Sequence, residues 1–226
     1  MTLPPRLASP EAWPILRARP GSRVRRRLLH GLTLATLGAL PLSFLAGCDR
    51  LPGRQPFKAI DLTGADYGRR LDLPDLEGRP RTLADFRGKL VVVFFGYTQC
   101  PDVCPTTLAT MAEVMKQLGD AAQRVQVIFV TVDPDRDTAE VLTPYVKAFD
   151  PSFIALRGSM EQIDVVRKEF RVIVQRNKGA TPGSYTIDHT AASYVIGADG
   201  RLRLYIRHDT PASDIAADLR QLLQSS

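Results

Sequence analysis

The run LVVVFFGYTQCPDVCP, residues 90–105, places two cysteines four residues apart directly after an apolar segment. Residues 90–95 have the length and the β-branched content of a buried strand. Residues 106–118 then carry apolar side chains at helical spacing, namely Leu108, Met111, Val114, Met115 and Leu118. We therefore predict that Cys100 and Cys104 lie on a loop that joins a core strand to the N-terminus of a helix.

This predicted position has consequences for the chemistry of the two thiols. The helix dipole and the unpaired N–H groups of the first turn favour a thiolate over a thiol, and Pro105 suits the first helical position. A thiolate pair in such a setting either exchanges disulfides or holds a soft metal ion. A structural disulfide is the third reading, but a bridge that closes so short a loop removes little chain entropy.

Strands and helices alternate along the rest of the chain. An alternating pattern with turn residues predicts a hairpin over 70–83. The other predicted strands are 125–132, 153–156, 191–196 and 202–206, and the predicted helices are 105–118, 139–149, 159–170 and 211–223. This order predicts an α/β fold, a thioredoxin-like sandwich with a central mixed sheet flanked by helices, plus an N-terminal hairpin. Residues 58–226 are enough for one well-buried core.

The first 47 residues have the composition of an export signal. Four arginines between positions 23 and 27 precede an apolar stretch, 28–46, that contains no acidic residue. A membrane span is the weaker interpretation, because polar residues and Pro41 interrupt this stretch. We therefore expect 1–47 to be a signal peptide with a long basic n-region.

The end of this segment predicts a lipid anchor. The sequence LAGC at 45–48 resembles the lipobox of bacterial lipoproteins, in which cleavage precedes a cysteine that then carries lipid. Asp49 resembles the residue that retains such proteins in the inner membrane. We therefore expect a lipid on Cys48, a linker over 48–57, and an inner-membrane protein whose folded domain faces the periplasm.

The positive net charge belongs to this leader. The chain has a formal charge of +6, and residues 1–47 contain seven arginines and one glutamate. The remaining residues therefore contain 23 basic and 23 acidic side chains. A basic pI that arises in a targeting segment gives no support for nucleic-acid binding.

One histidine is placed to complete a site with the cysteines. His30 lies in the predicted signal, and His208 reads most simply as an exposed polar residue. His189 lies in YTIDHT, residues 185–190, at the start of the predicted strand 191–196. The corresponding turn of a thioredoxin-like sheet faces the cysteine loop, so we expect His189 to approach Cys100 and Cys104. A hydrogen-bonded surface or core histidine is the alternative.

Four segments together resemble the Sco/SenC family of copper chaperones for cytochrome c oxidase assembly. They are TLADFRGK at 82–89, FGYTQCPDVCP at 95–105, TVDPDRDT at 131–138 and YTIDH at 185–189. The resemblance spans nearly all of 57–210. It implies that Cys100, Cys104 and His189 are copper ligands and that the domain is anchored at the membrane and faces the periplasm. It also implies the copper-site subunit of the oxidase as partner, with other copper carriers as further candidates.

The residue types agree with this implication. Two thiolates and an imidazole form a soft donor set that suits copper, and thiolates favour Cu(I) over Cu(II). Zinc is a weaker alternative, since no base for metal-assisted hydrolysis is evident beside the site. Three ligands do not saturate an ion, which suits a protein that passes its metal on.

Two functions remain open from the sequence. The first is a metallochaperone that inserts copper into the dinuclear site of the oxidase. The second is a thiol–disulfide oxidoreductase in which Cys100 and Cys104 are the catalytic redox pair and reduce the cysteines of that site.

The other candidate residues near these motifs have simpler predicted roles. We expect Asp133 and Asp137 to serve turns and caps, whereas Asp188 fits a turn or the orientation of His189 equally well. The two methionines of the predicted helix 105–118 have the spacing of core residues.

Overall fold

The computed structural model describes residues 56–225, and the predicted signal peptide, the lipid site Cys48 and most of the predicted linker lie outside this range. The strands are β1 Ile60–Asp61, β2 Leu73–Pro74, β3 Pro80–Arg81, β4 Leu90–Gly96, β5 Val125–Thr131, β6 Ile154–Leu156, β7 Val174–Lys178, β8 Tyr185–His189, β9 Ala192–Ile196 and β10 Leu202–Arg207. The helices are α1 Val103–Leu118, α2 Ala139–Lys147, α3 Met160–Glu169 and α4 Ala212–Gln224, with 3₁₀ helices at Leu83–Phe86 and Gly119–Arg124. None of the helices within 56–225 combines the length and the apolar character needed to cross a bilayer.

Six strands form a mixed central sheet in the order β1-β10-β9-β4-β5-β6. The β4–β5 and β5–β6 pairs are parallel, and the remaining pairs are antiparallel. β4 lies between β5 and β9, and all seven of its residues are buried. A strand covered on both faces is apolar throughout rather than alternating, which explains why its sequence is so distinctive. The predicted core strand and mixed sheet are confirmed.

Helix α1 packs alongside α4, and its apolar face belongs to the core. Met111 and Met115 are buried there, which confirms the prediction that they are core residues. Aromatic rings pack against the two phenylalanines of β4. The Phe94 ring centroid lies 6.0 Å from that of Phe129, and the Phe95 centroid lies 5.5 Å from that of Phe170.

Two hairpins lie outside the central sheet. The predicted N-terminal hairpin is confirmed, since β2 pairs antiparallel with β3. The second hairpin, formed by β7 and β8, is not predicted from the sequence, and its register places Val174 opposite His189. Ile187 is buried in β8 while Thr186 and Asp188 are exposed, so alternate residues of this strand face the protein.

Helix α1 begins earlier than predicted, at Val103 with Asp102 in the N-cap position. Cys104 therefore belongs to the first helical turn, and only Cys100 lies on the loop. Pro105 is the third helical residue rather than the first. It is tolerated there because the first turn contains N–H groups without intrahelical partners.

Candidate metal centre

The structure brings Cys100, Cys104 and His189 together. One ligand atom from each residue lies within 4.8 Å of the other two. Cys104 Sγ is 3.3 Å from His189 Nε2, and the backbone N–H of Cys104 donates to Cys100 Sγ at 3.5 Å. Both cysteines are free thiols. The predicted convergence of the cysteine segment with the turn that carries His189 is therefore present.

The two sulfurs are positioned by the end of β4 and the start of α1. The N–H of Cys100 donates to the carbonyl of Tyr97 at 3.2 Å, which closes a turn directly after the strand. Gly96 leaves room for the deeper sulfur. A Cβ at this residue would lie 2.9 Å from Cys104 Sγ and 2.9 Å from Phe129 Cε2, closer than side chains normally approach.

His189 is the last residue of β8, and its ring is oriented by a backbone bond. Nδ1 lies 3.2 Å from the carbonyl oxygen of Thr190. We assign the proton to Nδ1 because a carbonyl can only accept, which leaves the lone pair of Nε2 directed at Cys104. The rings of Phe94 and Tyr97 stand edge-on to the imidazole. Burial lowers the pKa of His189, which favours the neutral form that binds metals.

Burial has the opposite consequence for Cys104, whose side chain is fully enclosed. Loss of solvation raises the pKa of this thiol well above its ordinary value. The expectation that the helix N-terminus favours a thiolate is therefore wrong for Cys104 before a metal binds. Its S–H is the donor to His189 Nε2, and a metal ion must displace that proton.

A pocket of about 490 Å³ opens beside two of the three candidate ligand residues. Cys100 and His189 line it, together with residues of the loop after β4 and of β8. Cys104 is not among its lining residues. A ligand that approaches through this pocket therefore meets Cys100 and His189 first.

The family model described as SCO1/SenC matches residues 61–224. The chain belongs to the SCO1/SenC family. The bovine protein SCO2 homolog, mitochondrial, is 37% identical over 205 residues, which cover 89% of this chain and 76% of the bovine protein. A relative of this similarity over most of both chains agrees with the match of the family model.

Solved structures extend this relationship to the fold. The structure of Bradyrhizobium japonicum ScoI with copper bound is 38% identical with a TM-score of 0.63, and covers 68% of this chain and 98% of ScoI. A SCO1/SenC family lipoprotein from Bacillus anthracis is 28% identical with a TM-score of 0.58, covering 68% of this chain and 92% of that protein. The predicted thioredoxin-like α/β class is thus confirmed by Sco structures. The relatives of this SCO1/SenC chain include a mitochondrial protein and a bacterial lipoprotein.

Two acidic residues of this SCO1/SenC protein have larger roles than the sequence suggested. Asp133 and Asp137 are completely buried, and their carboxylates bond to side chains of other segments. The expectation that they serve only turns and caps is wrong, because local capping groups are normally solvated. Asp188 is exposed and accepts a bond from Asn177 at 2.7 Å, while the His189 ring bonds to the backbone instead.

His208 also differs from its predicted exposed position. It is half-buried, and its Nδ1 lies 3.2 Å from Thr107 Oγ1 on the buried side of α1. It does not belong to the cluster formed by Cys100, Cys104 and His189.

Proposed function

We propose that this chain is a membrane-anchored copper chaperone. It binds copper through Cys100, Cys104 and His189 and delivers it to the dinuclear copper site of cytochrome c oxidase. The observation that carries this proposal is the group of two sulfurs and one imidazole nitrogen within 4.8 Å of one another. The chain belongs to the family whose Bradyrhizobium japonicum member has been solved with copper bound. The oxidase as recipient follows from the Sco family to which the chain belongs.

The donor set suits copper better than harder ions. Thiolate sulfur selects Cu(I), and imidazole suits both copper oxidation states. His189 is prepared for this role because its Nδ1 is held by a carbonyl and its pKa is lowered by burial. Cys104 binds as a thiolate, so copper capture releases its proton and copper release takes one back.

The exposure of two of the three ligands to the pocket explains how copper could pass to a recipient. Cys100 and His189 line the open pocket, whereas Cys104 lies behind them. A soft ligand from a recipient can bind the ion through the pocket before one of the three donors leaves. The ion then need not pass through water in an under-coordinated state.

A thiol–disulfide oxidoreductase is the second candidate, favoured by two neighbouring free thiols. In that reaction the thiolate of half-exposed Cys100 attacks a disulfide of the recipient, and Cys104 resolves the mixed disulfide. Two electrons and two protons pass to the recipient, whose cysteines are reduced while Cys100 and Cys104 form a disulfide. Copper loading requires the reduced pair, so the two functions are compatible.

His189 discriminates between the two functions. We expect His189→Ala to lower Cu(I) affinity by more than about tenfold, the effect of losing even an outer partner of a metal ligand. Disulfide exchange with a model dithiol should remain largely unchanged. Competition with a chromogenic Cu(I) chelator under reducing conditions measures the affinity of the purified full chain.

The matched control is His208→Ala, which removes a half-buried imidazole that is outside the cluster. It should bind Cu(I) as the wild type does. Cys100→Ser should lose both copper binding and disulfide exchange. Equal Cu(I) affinities in the wild type and His189→Ala would exclude His189 as the third ligand.

The anchoring part of the proposal places the domain at the periplasmic face of the inner membrane through a lipid on Cys48. It is supported by the basic and apolar composition of residues 1–47 and by the LAGC sequence at 45–48. The Bacillus anthracis relative, a lipoprotein of the same family, agrees with it.

A further inference from the structure

The turn that follows β5, residues 133–137, carries two fully buried carboxylates that bond to the two segments from which the metal ligands come, the loop before Cys100 and the β7–β8 hairpin. Buried carboxylates cost solvation and persist where they are well bonded. Asp137 accepts a hydrogen bond from Thr98, which lies in the cysteine loop. Asp133 accepts one from Tyr185, which lies in the hairpin that carries His189.

Asp137 holds the segment before Cys100. Its carboxylate accepts the N–H of Thr98 at 3.1 Å and the hydroxyl of Thr98 at 2.6 Å. It also accepts the hydroxyl of Thr131, at the end of β5, at 2.6 Å. Thr98 lies two residues before Cys100, so these bonds tie the cysteine loop to the end of the neighbouring strand.

Asp133 holds the hairpin. The hydroxyl of Tyr185 donates to Asp133 Oδ1 at 2.7 Å, and Arg176, on the opposite strand, lies 3.6 Å from the same oxygen. Tyr185 and His189 are four residues apart in β8 and thus share a face of the strand. The bond to Asp133 therefore anchors the face of the hairpin that presents the imidazole.

Arg136 bonds to both the cysteine loop and the β7–β8 hairpin. Its Nε donates to Asp133, while its Nη1 donates to Gln99 Oε1 at 3.0 Å and to the carbonyl of Tyr185 at 3.1 Å. The guanidinium also stacks 3.6 Å from the centroid of the Tyr185 ring. Gln99 precedes Cys100, so one side chain spans from the cysteine loop to the histidine hairpin.

We propose that the 133–137 turn sets the separation between His189 Nε2 and the two sulfurs, with Asp133, Arg136 and Asp137 as positioning residues for metal binding. This inference rests on the proposed copper function. The hairpin contributes its ligand from outside the central sheet, so these side-chain bonds contribute to how closely the imidazole approaches the sulfurs.

Tyr185→Phe tests whether the bond to Asp133 positions His189, and it changes the structure little. It removes the bond to Asp133 and keeps the ring on which Arg136 and Arg176 stack. We expect Cu(I) affinity of the full chain to fall roughly tenfold, as for other partners that orient a metal ligand. Nitrogen hyperfine coupling in the electron paramagnetic resonance spectrum of the Cu(II)-loaded chain should weaken as well.

A double-mutant cycle separates positioning from general destabilisation. If Tyr185 acts through His189, Tyr185→Phe should have no further effect on Cu(I) affinity in a His189→Ala background. Thr98→Val, which removes the hydroxyl bond to Asp137, acts through the sulfurs and should weaken binding in both backgrounds. Gln175→Ala is the control, since its amide donates to Asn177 within the same hairpin at 3.3 Å, and this variant should bind Cu(I) as the wild type does.

The outcomes separate this inference from the proposed function. Equal Cu(I) affinities in the wild type and His189→Ala would contradict the three-ligand site itself. If those two differ while Tyr185→Phe binds like the wild type, the positioning role alone is refuted. An equal loss from Tyr185→Phe in both backgrounds would also refute it, because the effect would then not pass through His189.

Discussion

At the scale of single residues, the two thiols differ in their access to solvent. Cys100 is half-exposed and lines the pocket, whereas Cys104 is enclosed by the core with its S–H directed at His189. Burial raises the pKa of Cys104, so only a small fraction of the protein carries this side chain as a thiolate near neutral pH. The pair therefore consists of an accessible sulfur and an internal one that becomes a metal ligand only when the ion takes the place of its proton.

Selective alkylation measures this difference. With iodoacetamide at neutral pH, we expect Cys104 to react more than about tenfold slower than Cys100 in the reduced, metal-free chain, because only the thiolate attacks. The rate at Cys104 should rise with pH across the neutral range, since its pKa lies above that range. Peptide mass spectrometry over time gives both rates. The urea-unfolded chain is the control, and equal rates in the folded chain would contradict the prediction.

Gly96 is a second residue whose size matters to the site. A Cβ there would lie 2.9 Å from both Cys104 Sγ and the Phe129 ring, so one of them must move. We expect Gly96→Ala to lower the free energy of unfolding by about 1–3 kcal/mol, the usual cost of overpacking. A displaced Cys104 sulfur should also weaken Cu(I) binding. Urea unfolding and chelator competition measure the two effects.

Gly158 provides a matched control for this substitution. A Cβ at Gly158 would be equally crowded, at 2.8 Å from Leu73 Cδ2 and 2.9 Å from Gln162 Oε1. Neither neighbour belongs to the metal centre, so Gly158→Ala should destabilise the fold and leave Cu(I) affinity unchanged. Wild-type copper affinity in Gly96→Ala would show that the sulfur does not depend on this glycine.

At the scale of elements, continuous apolar runs made the core strands predictable, and helical periodicity made the body of α1 predictable. The β7–β8 hairpin was missed because β7 contains one apolar residue, Val174, and has no core pattern of its own. Contacts with the 133–137 turn, such as the bonds of Tyr185 and Arg176, stabilise it instead. Structure that depends on distant side chains leaves little periodic signal in its own sequence.

The candidate site shows the same division between local and distant information. The site residues Cys100, Cys104 and His189 could be predicted from the sequence, because they lie in short segments with strong flanking patterns. The roles of Asp133 and Asp137 were not, because an aspartate that braces two loops has the same local sequence context as one that caps a turn. Burial distinguishes the two roles, and burial is a property of the whole fold.

At the scale of the whole molecule, the charge is divided between residues 1–47 and the rest of the chain. The seven arginines and one glutamate of residues 1–47 account for the net charge of +6, and residues 48–226 are balanced. Removal of residues 1–47 would therefore change a basic protein into a neutral one. The proposed maturation before Cys48 thus alters the overall electrostatics and leaves the metal centre intact.

Tryptophan fluorescence tests this maturation directly. Trp13 is the only tryptophan of the chain and lies within the predicted signal peptide. If cleavage occurs before Cys48, the protein extracted from membranes should show tyrosine emission and no indole emission. Intact mass measurement of the same sample should show the loss of residues 1–47 together with an added lipid.

Cys48→Ala supplies the control, because a lipoprotein signal is not processed when the acceptor cysteine is missing. This variant should keep indole emission and the mass of the full chain. Indole emission from the wild-type protein after extraction would contradict cleavage before Cys48. A cleaved wild-type protein that carries no lipid would instead contradict the anchor while leaving the export signal supported.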